Sequence, residues 1–139
     1  MKIGPKFKIA RRLGAPIFEK TQTAKFKAQI GGKDKRRGAP KGEYAKQLLE
    51  KQKVRFMYGI SERQFSRYVK ETIESRPSQP TQKLFERLET RLDNIVWRMG
   101  LVPTRRFARQ VVSHGHIVVN GRKVTVPSFV VKAGDIVGI

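Results

Sequence analysis

The sequence predicts an α+β fold in three segments: a basic N-terminal arm over residues 1–42, a small helical lobe over 43–90, and over 91–139 two helices followed by a small antiparallel sheet. Three observations predict it. Gly and Pro are scattered through the first 42 residues without sustained periodicity. Apolar residues then recur at helical spacing as far as Val112. After Gly115 the pattern changes to β-branched runs on either side of Asn120-Gly121, the strongest short hairpin signal. No internal repeat and no parallel βαβ unit is evident, and no phosphate-binding Gly loop of the nucleotide-hydrolysing type occurs.

Taken in order, the arm carries Gly4, Gly14, Gly31-Gly32, Gly38 and Gly42 with Pro5, Pro16 and Pro40, which predicts extended backbone that orders only on a partner. A helix begins near Glu43, where Tyr44, Leu48 and Leu49 start an apolar stripe, and Gly59 supplies its stop. Ser61 with Gln64 three residues on forms a capping box for a second helix, whose Phe65, Tyr68, Val69 and Ile73 face a core until Ser75 to Pro80 breaks the run. Leu84, Phe85, Leu88, Leu92, Ile95, Val96 and Met99 form the next apolar set, closed by Gly100 with a break near Thr90. Thr104 caps a short helix ending at Gly115. Strands are expected at His116–Val119, Arg122–Val126 and Ile136–Ile139.

The 139 residues, 38% of them hydrophobic, can bury only a modest core, and the formal net charge of +20 opposes compaction of the chain alone. Such a surplus calls for a polyanion, and nucleic acid is the usual one. No apolar run approaches the roughly 20 residues of a membrane-spanning helix, so no membrane partner is expected. Met1 to Ala10 is basic but lacks the apolar stretch and cleavage site of a secretory signal, so the protein is expected to stay where it is made. The absence of Cys excludes disulfide and thiolate chemistry, and His114 and His116 stand two apart across a Gly, not at ligand spacing. Neither a metal nor a cofactor is expected. The basic residues are unevenly placed: residues 1–60 hold 17 Lys and Arg against 4 Asp and Glu, residues 61–90 hold 6 against 5, and residues 91–139 hold 8 against 2.

The sharpest signal is the helix begun by Thr104. At about 100° per residue, Phe107, Ala108, Val111 and Val112 fall on one arc, with Arg105, Arg106, Arg109, Gln110 and Ser113 opposite. A solvated helix face ordinarily mixes Glu with Lys or Arg. Here no acidic residue occurs between Asp93 and Asp135. Arg predominates, its planar fork suits bidentate phosphate contact, and the helix N-terminus adds positive dipole near Arg105 and Arg106. This face is expected to bind a phosphate backbone. Arg98, four residues after Asn94, is assigned to another part of the surface.

The turn at Asn120-Gly121 needs positive φ at both positions and displays Arg122 and Lys123 beside it. His114 and His116 are read as capping carbonyls. A second basic cluster, Lys46, Lys51, Lys53, Arg55, Arg63, Arg67 and Lys70, is interleaved with Phe56, Tyr58, Phe65 and Tyr68. Phe65 and Tyr68 lie on the apolar stripe and are assigned to the core; Tyr58 is the better candidate for exposure and base stacking.

The stretch RLDNIVWRMGLVPTRRFARQVVSHGHIVVNGRKVTVPSFVVKAGDIVGI, residues 91–139, closely resembles the RNA-binding domain named after ribosomal protein number four of the bacterial small subunit. KQKVRFMYGISERQFSRYVKE, residues 51–71, resembles the helical lobe particular to that ribosomal protein, and GPKFKIARRLG, residues 4–14, resembles its N-terminal arm. The resemblance implies that three groups face small-subunit ribosomal RNA: Lys6, Lys8, Arg11 and Arg12; Lys51, Lys53, Arg55, Arg63, Gln64 and Arg67; and the Thr104 helix with Arg105, Arg106, Arg109, Gln110 and Ser113. It further implies binding at a five-way junction, nucleation of subunit assembly, small-subunit ribosomal proteins three and five as neighbours, messenger RNA close by, and a place on a bacterial-type ribosome in cytoplasm or organelle. Many members carry N-terminal cysteines that hold zinc or an iron–sulfur cluster; this chain has none. Most members continue for several dozen residues past the equivalent of Ile139, in a tail that packs on the first helical lobe.

Three other readings compete. An RNA-modifying enzyme would need a catalytic domain that residues 1–90 are too short and too basic to house. A free-standing ribosome-associated factor would use the Thr104 helix but would not need the arm or the Lys51 to Arg67 cluster, so deletion of residues 1–60 discriminates. A DNA-packaging protein would bind duplex DNA and folded RNA alike.

Overall fold

The computed structural model describes residues 1–33 and 42–139 of the chain. It contains helices α1 (Lys6–Leu13), α2 (Ala24–Lys33), α3 (Glu43–Tyr58), α4 (Glu62–Glu74), α5 (Pro80–Glu89), α6 (Leu92–Arg98) and α7 (Arg105–Ser113), a 3-10 turn at Glu19–Thr21, and strands β1 (Val118–Val119), β2 (Arg122–Lys123) and β3 (Val137–Gly138). The α+β class is as expected. The chain divides into two compact units, Met1–Ser61 and Glu62–Ile139, a division that cuts across the three segments read from the sequence.

In the first unit the expectation of an extended arm is overturned for residues 6–33, which hold α1, the 3-10 turn and α2. Gly and Pro punctuate these helices at their ends. Pro5 takes the N-cap position of α1 in extended conformation, and Gly14 closes it at φ 68°, donating to the carbonyls of the last turn. Within α1, Ile9, Ala10 and Leu13 point inward and meet Phe18 and Phe26, with Ile3, Ile17, Ile30, Leu49 and Phe56 packed around them. The buried Thr21 hydroxyl accepts from Phe18 N–H at 3.2 Å and donates to the Phe18 carbonyl at 2.7 Å, holding Phe18 in that core. Residues 34–41 of the expected arm lie outside the described residues.

Helix α3 ends as the sequence predicts, in a Schellman motif: Gly59 at φ 66° donates to the Phe56 carbonyl and Ile60 N–H to the Arg55 carbonyl. Its stripe is displaced, however. Leu49 and Phe56 pack on the core, whereas Tyr44 is 78% exposed and Leu48 is exposed as well.

In the second unit, α4 buries Phe65, Tyr68 and Thr72; Ile73, read as part of the stripe, is 64% exposed because Thr72 occupies the inward position. The apolar run of residues 84–99 is broken as expected near Thr90. Thr90 caps α5, and Arg91 is extended before α6 begins. The core gathers Leu92 and Val96 of α6, Val102, Ala108 and Val112 of α7, Ile117, Val119 and Val131. The sheet has the order β2-β1-β3, both pairs antiparallel, with Val119 opposite Arg122 on one side and Val137 on the other. Residues 127–131, unassigned in the sequence, run along residues 90–93: Leu92 N–H donates to the Phe129 carbonyl at 2.8 Å and Val131 N–H to the Thr90 carbonyl at 2.9 Å.

Arg91 is fully buried and fixes α4 to α6. Its guanidinium meets Asp93 through two bonds of 2.9 and 2.6 Å and donates to Tyr68 Oη at 2.8 Å. Burial works against its charge, but the Asp93 hydrogen bonds and charge, with Tyr68, hold its pKa above the ordinary arginine value. Removing Arg91 or Asp93 alone would strand the other's buried charge, a loss of about 3–5 kcal/mol.

Candidate nucleic-acid interface

In the first unit a cation of α1 and a cation of α3 lie over two different aromatic rings that stand against each other. Lys6 Nζ lies 5.7 Å from the Phe18 ring centre and the Arg55 guanidinium 4.4 Å from that of Phe56, while Phe18 and Phe56 stand edge to face at 6.4 Å. Arg55 is also tied to Gln52 Oε1 at 2.8 Å. Arg11 sits 5.8 Å from the Phe26 ring and reaches Gln29 Oε1 at 3.4 Å. Lys8 and Arg12 are exposed and Lys51 is half-buried. Lys53 pairs with Glu50 at 2.8 Å, a partly exposed pair of small energetic weight. The structure thus brings together Lys6 and Arg55, which the sequence assigned to separate clusters. Tyr58, expected to be exposed, is only 6% so, because the last turn of α3 directs it inward.

In the second unit Arg63 and Arg67 project from α4, while the Gln64 amide turns to Tyr68 Oη and donates to it at 3.1 Å. Thr104 caps α7 as expected, its hydroxyl accepting from Phe107 N–H at 3.1 Å. Ala108 and Val112 are fully buried. Phe107, assigned to the packing arc, is 45% exposed, so the buried stripe is narrower than the sequence suggests. Arg106, Gln110 and Ser113 are exposed, Arg105 and Arg109 half-exposed.

Arg122 and Lys123 lie exposed on the edge strand β2. The Lys123 stem passes over Gly115, where any Cβ would collide with it, so this cation is carried against the end of α7. Asn120 at φ 51° and Gly121 at φ 75° form the expected turn. Asn120 does more than turn: its Nδ2 donates to Asp135 Oδ1 at 2.8 Å and its Oδ1 accepts from Ile136 N–H at 2.9 Å, clasping the hairpin to the approach of β3. The Lys132 N–H and then Asn120 hold the Asp135 carboxyl below the usual range. His114 and His116 are exposed with ring centres 6.3 Å apart.

The sequence missed the surroundings of Arg105. Arg105 Nε donates to Asn94 Oδ1 at 2.8 Å and its guanidinium lies 3.8 Å from the Trp97 ring centre; Arg98 lies 5.0 Å from the same ring. Arg98 is therefore a neighbour of the basic helix, contrary to its assignment to another part of the surface. A signal existed in the indole flanked by Arg98 at i+1 and Arg105 at i+8, but an eight-residue separation carries no contact until α6 and α7 pack. Among the described residues, no group of three or more His, Asp or Glu side chains gathers, and no helix is long and apolar enough to cross a membrane.

Comparison with known proteins agrees with this architecture. Residues 90–137 match the family model described as the S4 domain, and residues 1–89 the one described as the ribosomal protein S4/S9 N-terminal domain. The second unit is thus built around an S4 domain. The small ribosomal subunit protein uS4 of Amoebophilus asiaticus is 44% identical over 137 residues, covering 99% of this chain and 68% of its own length. Its counterpart in Neisseria meningitidis is 48% identical over 142 residues with the same coverage, and that of Verminephrobacter eiseniae 46% over 143 residues, covering 69% of its length. The chain belongs to the uS4 family of small ribosomal subunit proteins. It spans about two thirds of the length of these curated relatives.

Proposed function

We propose that the chain is a non-enzymatic structural constituent of the small ribosomal subunit that binds small-subunit rRNA by its phosphate backbone. The observation that carries this is the exposed face of α7, where Arg105, Arg106 and Arg109 stand with Gln110 and Ser113 opposite the buried Ala108 and Val112. No acidic residue occurs in the sequence between Asp93 and Asp135, so the segment that carries those guanidinium groups is basic throughout. Arg122 and Lys123 add charge from β2. Arg63, Gln64 and Arg67 of α4 supply further contacts, as do Lys6, Lys8, Arg11, Arg12, Lys51, Lys53 and Arg55 in the first unit. Membership of the uS4 family supports a multi-helix junction as the target, a role in nucleating assembly, and a position near ribosomal proteins three and five and the messenger entrance.

The test is sedimentation of the tagged protein in a cell extract, followed by a high-salt wash of the subunits. Co-migration with small subunits through the wash is the expected result. Release into the top fractions would make it a transient ribosome-associated factor instead. Comparable affinity for a folded junction RNA and an unrelated duplex would remove the junction from the proposal.

A further inference from the structure

Trp97 is the chain's one tryptophan, and two guanidinium groups lie against it. The closer belongs to Arg105, at the start of α7. Its partner Asn94 is buried, and Asn94 Nδ2 donates to both the Glu89 main-chain carbonyl at 3.1 Å and Glu89 Oε2 at 2.8 Å. With its amide nitrogen committed to Glu89, Asn94 turns its side-chain oxygen to Arg105, whose Nε donates to it at 2.8 Å. Glu89 is braced in turn by Arg98, which donates to its two oxygens at 3.2 and 2.9 Å. The indole backs the Arg105 guanidinium and the Asn94 amide holds its Nε, so the side chain is restrained at two points.

We propose that Asn94 and Trp97 are positioning residues for RNA binding: they hold Arg105 in the geometry in which it meets an RNA phosphate. The inference rests on the reading of α7 as an RNA face. An unrestrained arginine gives up rotamer freedom when it binds, and that loss subtracts from affinity. At Arg105 the loss is taken during folding, and the two restraints limit the directions in which its N–H groups donate, which is what a bidentate phosphate contact requires. Neither Asn94 nor Trp97 touches the RNA in this scheme.

The test is a double-mutant cycle, with affinity measured for a small-subunit rRNA transcript that contains a multi-helix junction. Trp97→Leu should weaken binding by about three- to tenfold, the size of one long side chain left to order on binding. Trp97→Tyr, which keeps an aromatic plate, should bind as wild type does. In an Arg105→Ala background Trp97→Leu should cost nothing further. A full additional loss in that background would show that Trp97 serves only the fold and would overturn the proposal. Wild-type affinity for Arg105→Ala itself would instead sink the reading of α7 on which the proposal stands. Should Trp97→Leu fail to fold, acrylamide quenching of Trp97 in RNA-free protein gives a second measurement. Quenching should rise in Arg105→Ala as the indole face is uncovered, and unchanged quenching would overturn the contact between Arg105 and Trp97.

Discussion

At the scale of single residues, side chains of one type on one helix do different things. Arg105 lies against Trp97 and donates to Asn94 at the start of α7, and Arg109 lies one turn on; both are half-exposed on the basic face. Arg109→Ala is expected to flatten the slope of log affinity against log salt by roughly one unit, with little change in preference among RNA sequences. Lys83→Ala is the control, because Lys83 lies on α5 paired with Glu86. Equal slopes for wild type and Arg109→Ala would take Arg109 out of the interface. The basic face of α7 was legible because a run of arginines without acids is visible in any sequence. Asn94 and Trp97 were not, because their contacts with Arg105 span 11 and 8 positions and exist only once α6 and α7 pack. Asp135 carries a pH dependence of its own. Its carboxyl is held below its unfolded value, so the stabilisation is present above the ordinary carboxylate range, about 4, and is lost as pH falls through the folded value. Thermal melts of wild type and Asp135→Asn should therefore differ near neutral pH and converge in acid. A difference that does not vary with pH would show that the charge of Asp135 contributes nothing.

Single elements show which local signals survive folding. The Asn120-Gly121 turn, the Gly59 stop of α3 and the Thr104 cap were readable because each is settled within a few residues by a φ requirement or one side-chain hydrogen bond. The pairing of residues 127–131 with 90–93 was not, since it joins distant segments with no periodicity. α1 was missed for another reason. Its Pro5 and Gly14 look like loop residues in a sequence but act as helix boundaries, and its eight residues bury a stripe only because Phe18 and Phe26 return to cover it. Hydrogen exchange on RNA-free protein should accordingly show protected amides in α1. Exchange there as fast as in an unfolded chain would return these residues to the status of an arm that RNA orders. For the hairpin, Gly121→Val forces a β-branched side chain to φ 75° and should cost about 1–2 kcal/mol or more of stability. Asn120→Ala removes the clasp to Asp135 and Ile136. Both variants should lower the melting temperature while the folded fraction keeps its RNA affinity. A large affinity loss with an unchanged melt would make the turn itself an RNA contact.

Across the whole molecule the charge is divided as unevenly as the fold. The unit Met1–Ser61 carries 17 Lys and Arg against 4 Asp and Glu, and Glu62–Ile139 carries 14 against 7. Each unit has its own buried cluster, Ile9 to Phe26 in one and Leu92 to Val131 in the other, so the second should fold without the first. Phosphate contacts are counted by counter-ion release, at about 0.9 unit of salt slope per phosphate on duplex and about 0.7 on single strands. If the first unit binds phosphate through Lys6, Lys8, Arg11, Arg12, Lys51, Lys53 and Arg55, a fragment of residues 62–139 loses those contacts and keeps those of α7 and β2. Such a fragment is expected to show a cooperative melt, to bind a folded junction RNA more weakly than the full chain, and to do so with a slope shallower by several units. The comparison requires one RNA and salt concentrations at which both proteins bind measurably, since the steeper slope brings the affinities together as salt rises. Identical slopes would mean that the cations of the first unit stay in solvent, and that α7 with its neighbours accounts for binding alone. A folded fragment without measurable affinity would give the opposite result, placing the main phosphate contacts on the aromatic-backed cations of the first unit and reducing α7 to a secondary contact.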